Sequence, residues 1–292
     1  VVVSGVPAPL LLSYSIGTFL PILEGSCATS TTGQDPLTCC RIRVNLGESS
    51  GIPPVLHFSK GNSKLDKETL IFNLPAGKTC PGALHCLSMA VADENGKRKI
   101  VDGTHTIFRC FAASSEVQYD NVFNNRADNL RQIVDALKGG NCADLIHTEL
   151  HKVLTRKITK VRIHESGDFF NAEYLMAWIM VAMHNPTIKF YCYSKNLPLF
   201  VGLQLPANFY FTASYGGKFD RFIDEGFFTR YAKVFMTSED AIAAGYKIDV
   251  RDQSCFEDGP FALLVHGQQP KGSDWGKASR INRKIQKELV RN

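Results

Sequence analysis

No apolar run in this chain reaches the roughly 18 residues that a helix needs to cross a bilayer, so a helical membrane span is excluded. Strong charge is also lacking. The formal net charge is +5 over 292 residues, which permits an anionic partner without demanding one. The nine cysteines contain no C-x2-C pair, which excludes a zinc ribbon. Their odd number and irregular spacing argue against a secreted disulfide framework, and a chain of this length does not need one. Neither a GxGxxG nor a Walker pattern occurs, and no internal repeat does. What remains is ordinary globular material, 44% hydrophobic and 21% charged, sufficient to bury a core. Reduced thiols in a cytoplasm, a few of them acting as ligands, are expected.

The first part of the chain differs from the rest. VVVSGVPAPLLLSYSIGTFLPILEGSCA has an apolar run and small residues near Cys27, like a signal peptide. It lacks a basic leading region and an initiator Met, and Pro7, Pro9 and Pro21 interrupt it. Residues 1–54 are therefore expected to be an atypical leader, non-native or disordered, rather than an export signal. A single α/β domain is expected over 55–280, followed by a basic helix over 281–292 that carries Arg283, Lys284, Lys287 and Arg291, with Arg280 just before it.

Past residue 55 the pattern becomes regular. A strand over Thr69 to Asn73 leads into a Pro-Ala-Gly turn, and Asn95-Gly96 suits a hairpin. From about Ser114 to Leu154 the pattern is helical, broken into two helices at Gly139-Gly140-Asn141. Strand-like and helical stretches then alternate: KVRIHESGD, AEYLMAWIMVAMHNP, IKFYCYSK, NFYFTASYGG, KFDRFIDEGF, AKVFMTS, SEDAIAAGY with a Ser238 cap, and PFALLVHG. Nearly continuous apolar strands at this spacing predict a mostly parallel sheet or an incomplete (β/α) barrel, with an N-terminal cysteine-bearing region and a helical insertion. The helix with Met176, Met180 and Met183 is apolar nearly all round and reads as a buried packing element.

In such a fold the carboxyl ends of the strands share one face, which holds the active site. Here these ends carry reactive types: His164, Glu165, Ser166, Gly167 and Asp168; Tyr193, Ser194 and Lys195; Thr212, Ser214 and Tyr215; Thr237, Ser238 and Glu239; His266, Gly267 and Gln268. Glu165 or Asp168 can hold a ribose hydroxyl or act as a general base, and His164 can shuttle protons; Asp168 equally suits a cap for the helix near Asn171. Tyr191, Tyr193 and Lys195 fall on alternate positions, and the Tyr/Lys pair can bind an anion or tune a proton. Ser214, Gly216 and Gly217 precede a helix and can cradle a phosphate.

Cys80, Cys86 and Cys110 form a C-x5-C-x23-C set after the first strand. Three thiolates suit an iron–sulfur cluster with one open iron, or zinc. They equally suit small buried hydrophobes. His85, His105, His164 and Cys255 are alternative ligands.

GNSKL, LPAGKTCPGALHCLS, FRCFAASSE, HESGDFFNAEYLMAW, FYCYSKNLP, FTASYGGKFD and FALLVHGQQPKGS, taken in order, resemble the bacteriophage "Gene product 88" family over about residues 55 to 280. The block from HESGDFF to TASYGG also resembles, more remotely, phage proteins with radical-SAM-like barrels. The first resemblance implies a protein of the infected or lysogenic bacterial cytoplasm. The second implies a [4Fe–4S] cluster on Cys80, Cys86 and Cys110 with S-adenosylmethionine near Glu165 and Asp168, although the radical-SAM C-x3-C-x2-C spacing is absent. From their residue types and strand-end positions, His164, Glu165, Asp168 and Lys195 are candidate catalytic residues. Ser166, Gly167, Tyr193, Ser214, Gly216 and His266 are candidate cofactor contacts. The leading expectation is a metal-dependent enzyme acting on a small molecule or nucleotide. The alternatives are a nucleic-acid-binding protein using Lys195, Lys218 and the basic tail, and an inhibitor of a host protein.

Overall fold

The computed structural model describes residues 55–62 and 64–291; the expected leader over 1–54 lies outside them. The described residues belong to one compact unit, Ile52–Asn292. An eight-stranded sheet forms its centre. β2 (Thr69–Phe72), β5 (Lys160–Ile163), β6 (Lys189–Ser194), β7 (Phe209–Ser214), β8 (Tyr231–Phe235) and β10 (Phe261–Leu264) run parallel and lie side by side in chain order. β1 (Phe58–Lys60) adds antiparallel outside β2, and β9 (Lys247–Ile248) adds parallel outside β10. Sequential parallel order is that of a barrel rather than of a doubly wound sheet. With β1 and β9 as the two edges of the strand order, the barrel stays open.

Strand register divides the side chains between two faces. Leu70, Val161, Phe190 and Phe209 form one row, and Phe72, Ile163, Cys192 and Phe211 form the next on the same face. This face packs on α2 (Asp120–Lys138), α3 (Cys142–Val153) and α4 (Ala172–Met183), whose Ile133, Ile146, Tyr174 and Trp178 are fully buried with it. The opposite face carries Ile71, Arg162, Tyr191 and Tyr210 in one row, with Tyr193, Thr212, Ser214, Val234 and Leu263 nearer the carboxyl ends. One face is therefore hydrocarbon, and the other is mixed and polar.

The connection from β2 to β5 is long. It holds the Cys80–Cys86 loop, the hairpin β3 (Ser88–Ala92) and β4 (Arg98–Asp102), and α1 (Phe111–Gln118), α2 and α3. The expected pair of helices is a trio, because the chain is extended at Tyr119 (φ −125°) and separates α1 from α2. Two caps differ from expectation. Asn171, not Asp168, caps α4 by accepting from the Tyr174 amide at 2.9 Å. The short α5 (Arg221–Asp224) follows β7, and Thr237, not Ser238, caps α6 (Ser238–Ala243) by accepting from the Asp240 amide at 3.1 Å. The α4 methionines are not buried: Met176, Met180 and Met183 are the solvent side of a helix whose Trp178 and Tyr174 face the sheet. Methionine is apolar on either side of a helix, so composition alone did not reveal the amphipathic division. α7 (Asp274–Arg291) closes the described chain, starting ahead of the expected boundary.

Candidate functional site

A cavity of about 170 Å³ opens at the carboxyl ends of the parallel strands. Its lining includes Cys80, Cys86 and Cys110 from the β2–β5 connection, and Arg162 and the His164–Asp168 run from β5. Tyr193 and Lys195 come from β6, Ser214 from β7, and Val265 and His266 from after β10. The expected catalytic residues, cofactor contacts and cysteine ligands all line this cavity except Gly216, whereas the alternative ligands His85, His105 and Cys255 do not.

Backbone contacts set the cysteine loop on the strand ends. Gly77 (φ 69°) starts the turn, and the Cys80 amide donates to its carbonyl at 3.1 Å. The loop then docks on the β7 end: His85 N–H donates to Gly216 O at 3.0 Å and Lys218 N–H to Gly82 O at 2.9 Å. Gly82 lies so close to Lys195 that a Cβ there would sit 2.2 Å from the Lys195 carbonyl oxygen. Only glycine fits. Ser88 joins the two cysteine segments, since its buried hydroxyl donates to Cys86 O and accepts from the Cys110 amide, each at 3.1 Å. Cys110 occupies the residue just ahead of α1, with no side-chain capping hydrogen bond. Its neighbour Arg109 exchanges two backbone hydrogen bonds with the Gln269 side chain (2.8 and 2.9 Å), and Phe111 stacks on His266 at 4.4 Å.

Two of the three thiols are strongly displaced by burial. Burial pushes Cys80 well up, and Asp168, Cys110 and Cys86 push it further. Burial and then Cys86 raise Cys110 to about 11, against the pull of the Ala112 and Ala113 amides at the helix start. Left alone, Cys80 and Cys110 keep their protons; a positive centre would be needed to ionise them. Among the described residues no group of three His, Cys, Asp or Glu side chains is placed so that it could hold a metal ion. Of the alternative ligands, His85 and His105 are not part of the cavity wall, and the buried Cys255 donates to Asp252 O at 2.6 Å.

The HESGD segment is held under constraint. His164 adopts φ 67°, the left-handed region that a histidine rarely occupies. Its Nε2 meets Tyr174 OH at 2.8 Å, while its buried Nδ1 has no partner among the described residues. Burial and then Arg162 lower its pKa to about 3, so the ring is neutral. A neutral imidazole can accept or relay a proton but supplies no charge. Gly167 (φ 89°) passes 2.7 Å from Thr79 Oγ1 and from Leu74 Cβ, measured from the position of an added Cβ. Asp168 is buried and accepts from Ser194 OH (2.6 Å), Phe169 N–H (2.7 Å) and Lys195 N–H (2.9 Å). Burial raises its pKa to about 6 against those bonds. This is a range suited to proton transfer near neutrality.

Several residues of the site carry no sequence signal. Arg162 points from the polar sheet face, pairs with Asp252 and lies 5.0 Å over the Tyr193 ring. Burial opposes its charge; Asp252 and the two tyrosines more than restore it. Asp252, itself at φ 58°, also accepts from Tyr193 OH at 3.1 Å and Tyr191 OH at 3.3 Å. Glu116 is the second hidden hub. Its carboxylate accepts from Ala76 N–H (2.8 Å), Arg126 (2.8 Å) and Ser166 OH (3.3 Å), joining the cysteine loop, α1, α2 and HESGD. Neither group belongs to a local motif; each meets its partners through the fold.

Two expectations change. The Gly216 and Gly217 amides donate to Asp220, at 2.9 and 2.8 Å, so they are not free to cradle a phosphate. Lys195 is buried, so it cannot serve with Lys218 as a surface contact for nucleic acid. Arg280, Arg283 and Lys284 on α7 are exposed. Among the described residues no helix is long and apolar enough to cross a membrane.

No curated protein and no solved structure matches the chain. The family model described as Gene product 88 matches residues 56–287, which include every strand of the sheet and the whole cavity lining, and the chain belongs to the Gene product 88 family.

Proposed function

We propose that this protein is an iron–sulfur enzyme of the phage-infected or lysogenic bacterial cytoplasm that acts on a small molecule. One observation carries the reading: three cysteines up to 30 residues apart in the chain line one cavity at the carboxyl ends of an open parallel barrel. Cys80, Cys86 and Cys110 would hold a [4Fe–4S] cluster. When bound, such a cluster with one open iron supplies an electron to a ligand such as S-adenosylmethionine. The chain's own residues do the rest. Asp168 holds or releases a proton close to neutral pH, and Arg162 fixes Tyr193 through Asp252. Gly82 and Ser88 keep the cysteine loop seated on the strand ends. At about 170 Å³ the cavity is smaller than the ~300–1,000 Å³ usual for drug-sized ligands, which favours an amino-acid-sized group within it over a whole nucleotide.

Anaerobic purification tests this reading. A brown protein with broad visible absorption is expected, and the colour should be lost in the Cys80→Ala, Cys86→Ala and Cys110→Ala variants. A colourless protein that takes up no iron on anaerobic reconstitution would reject it.

A further inference from the structure

A basic face runs along α7. Lys277, Arg280, Arg283 and Lys284 are all exposed, and their spacing of three and four residues places them on neighbouring turns of one side. Lys277 is paired with Asp274 at 2.8 Å. Arg280, Arg283 and Lys284 take part in no ion pair among the described residues. Glu288, one turn beyond Lys284, is the other acid of the helix, so cations outnumber acids along it. Like charges three and four residues apart repel and weaken a helix, and here that repulsion is retained. One exposed lysine signals nothing. Three adjacent cations at helical spacing, on a helix that starts at an aromatic surface, are the two parts of a strand-binding platform.

The fold fixes where this face lies. The inner side of α7 is seated on the carboxyl ends of β8 and β10. Ser279 OH donates to Gly267 O at 2.8 Å, and Asn282 Nδ2 donates to Met236 O at 2.9 Å and to Val265 O at 3.0 Å. Ala278, Ser279, Asn282 and Gln286 are buried there. At the start of the helix half-buried Trp275 packs on half-buried Phe108, with ring centroids 5.1 Å apart. Phe108 and Val265 both belong to the cavity wall. The basic side therefore belongs to the helix that closes one rim of the cavity. A membrane surface is a poor partner, because a helix lying in one needs a free apolar side. The apolar group exposed on the outer side of α7 among the described residues is Ile281 alone. An acidic peptide would use the cations only. A nucleic-acid strand uses both parts, and a single strand has its bases free to stack.

We propose that α7 docks a single strand of nucleic acid, with Arg280, Arg283 and Lys284 taking phosphates and Trp275, beside Phe108, taking a base. From Trp275 to Lys284 the helix extends about 14 Å, so the footprint is a few nucleotides. The strand lies on the rim and not inside the cavity. This goes beyond the iron–sulfur reading and stands or falls apart from it.

Fluorescence anisotropy of the anaerobically purified full chain tests it with short labelled oligonucleotides of mixed sequence: single-stranded DNA, single-stranded RNA and the matching DNA duplex. At low salt at least one single strand should bind more tightly than the duplex, and which one it is identifies the strand. Its affinity should fall with salt at a log–log slope of about −2, the value for three phosphate contacts on a single strand. Changing Arg280, Arg283 and Lys284 together to Gln should bring that slope close to zero, and changing the two arginines to Lys should keep it. Trp275→Ala should weaken binding roughly tenfold to a hundredfold with the slope unchanged, and Trp275→Phe should recover most of the loss. Iron content of the triple Gln variant should equal that of the wild type, so loss of the cluster and loss of the docking face read out separately. No binding of either single strand at low salt, tighter binding of the duplex, a wild-type slope in the triple Gln variant, or equal affinity for a labelled polyglutamate peptide would overturn the proposal and leave the iron reading standing.

Discussion

Asp168 offers a prediction whose size follows from its surroundings. The residue is 4% exposed, and burial raises its pKa from an ordinary 3.8 to about 6, even though Ser194, Lys195 and Phe169 all donate to it. A raised carboxyl means that the folded state holds the proton more tightly than the unfolded chain. Its contribution to stability is fully present below about pH 4 and declines as pH rises through about 6. Two units at 1.36 kcal/mol each give a loss of about 3 kcal/mol across that window. Asp168→Asn cannot ionise and has no such slope. It carries a fixed penalty instead, because its amide must sit against one of the three donors. The assay is urea unfolding of metal-free wild type and variant at matched pH values. The variant should gain on the wild type by about 3 kcal/mol between pH 4 and 7, whatever the fixed offset. A stability difference that stays constant over this range would show that Asp168 is not a desolvated acid, and its role in proton transfer would fall with it.

Other substitutions test the framework around the cavity. Arg126→Ala leaves the Glu116 carboxylate buried without its counter-charge and should cost about 3–5 kcal/mol in chemical denaturation; a cost below about 1 kcal/mol would mean that solvent reaches the hub. Gly82→Ala drives a methyl group into the Lys195 carbonyl and should destabilise by about 1–3 kcal/mol while lowering iron uptake; wild-type iron content would deny the close seating of the cysteine loop. Trp178→Ala empties the fully buried centre between α4 and the sheet and should cost about 3–5 kcal/mol in the same assay, with near-normal stability contradicting the packing described.

The fold was legible where its signal is local and periodic. TLIF, KVRI, KFYCYS and FALL read as strands because their apolar or alternating patterns match the faces they cover. Parallel order followed from the intervening helices. The strand-end residues of the cavity were readable for the same reason: once strands are parallel, whatever follows each one arrives at one rim. What stayed hidden depends on partners distant in the chain. Glu116 and Arg126 lie on different helices, and Asp252 meets Arg162 across 90 residues. Nothing in ASSEVQ or VRDQS announces a buried charge. The glycines of TASYGG misled because a nearby Asp220 takes their amides. The methionines of α4 misled because hydropathy does not say which side of a helix meets water. Lys195 was marked as functional from its place after a strand, but its burial belongs to the packing of the Gly82 loop and could not be read from YCYSK.

The central claim concerns the sulfurs of Cys80, Cys86 and Cys110 and is tested most directly by elemental analysis of the anaerobically isolated protein beside a variant with all three changed to alanine. The account predicts about four iron atoms and matching acid-labile sulfide per wild-type chain, with neither in the variant and no change in its fold by circular dichroism. Equal metal content in the two proteins, or none in either after reconstitution with iron and sulfide, would contradict it.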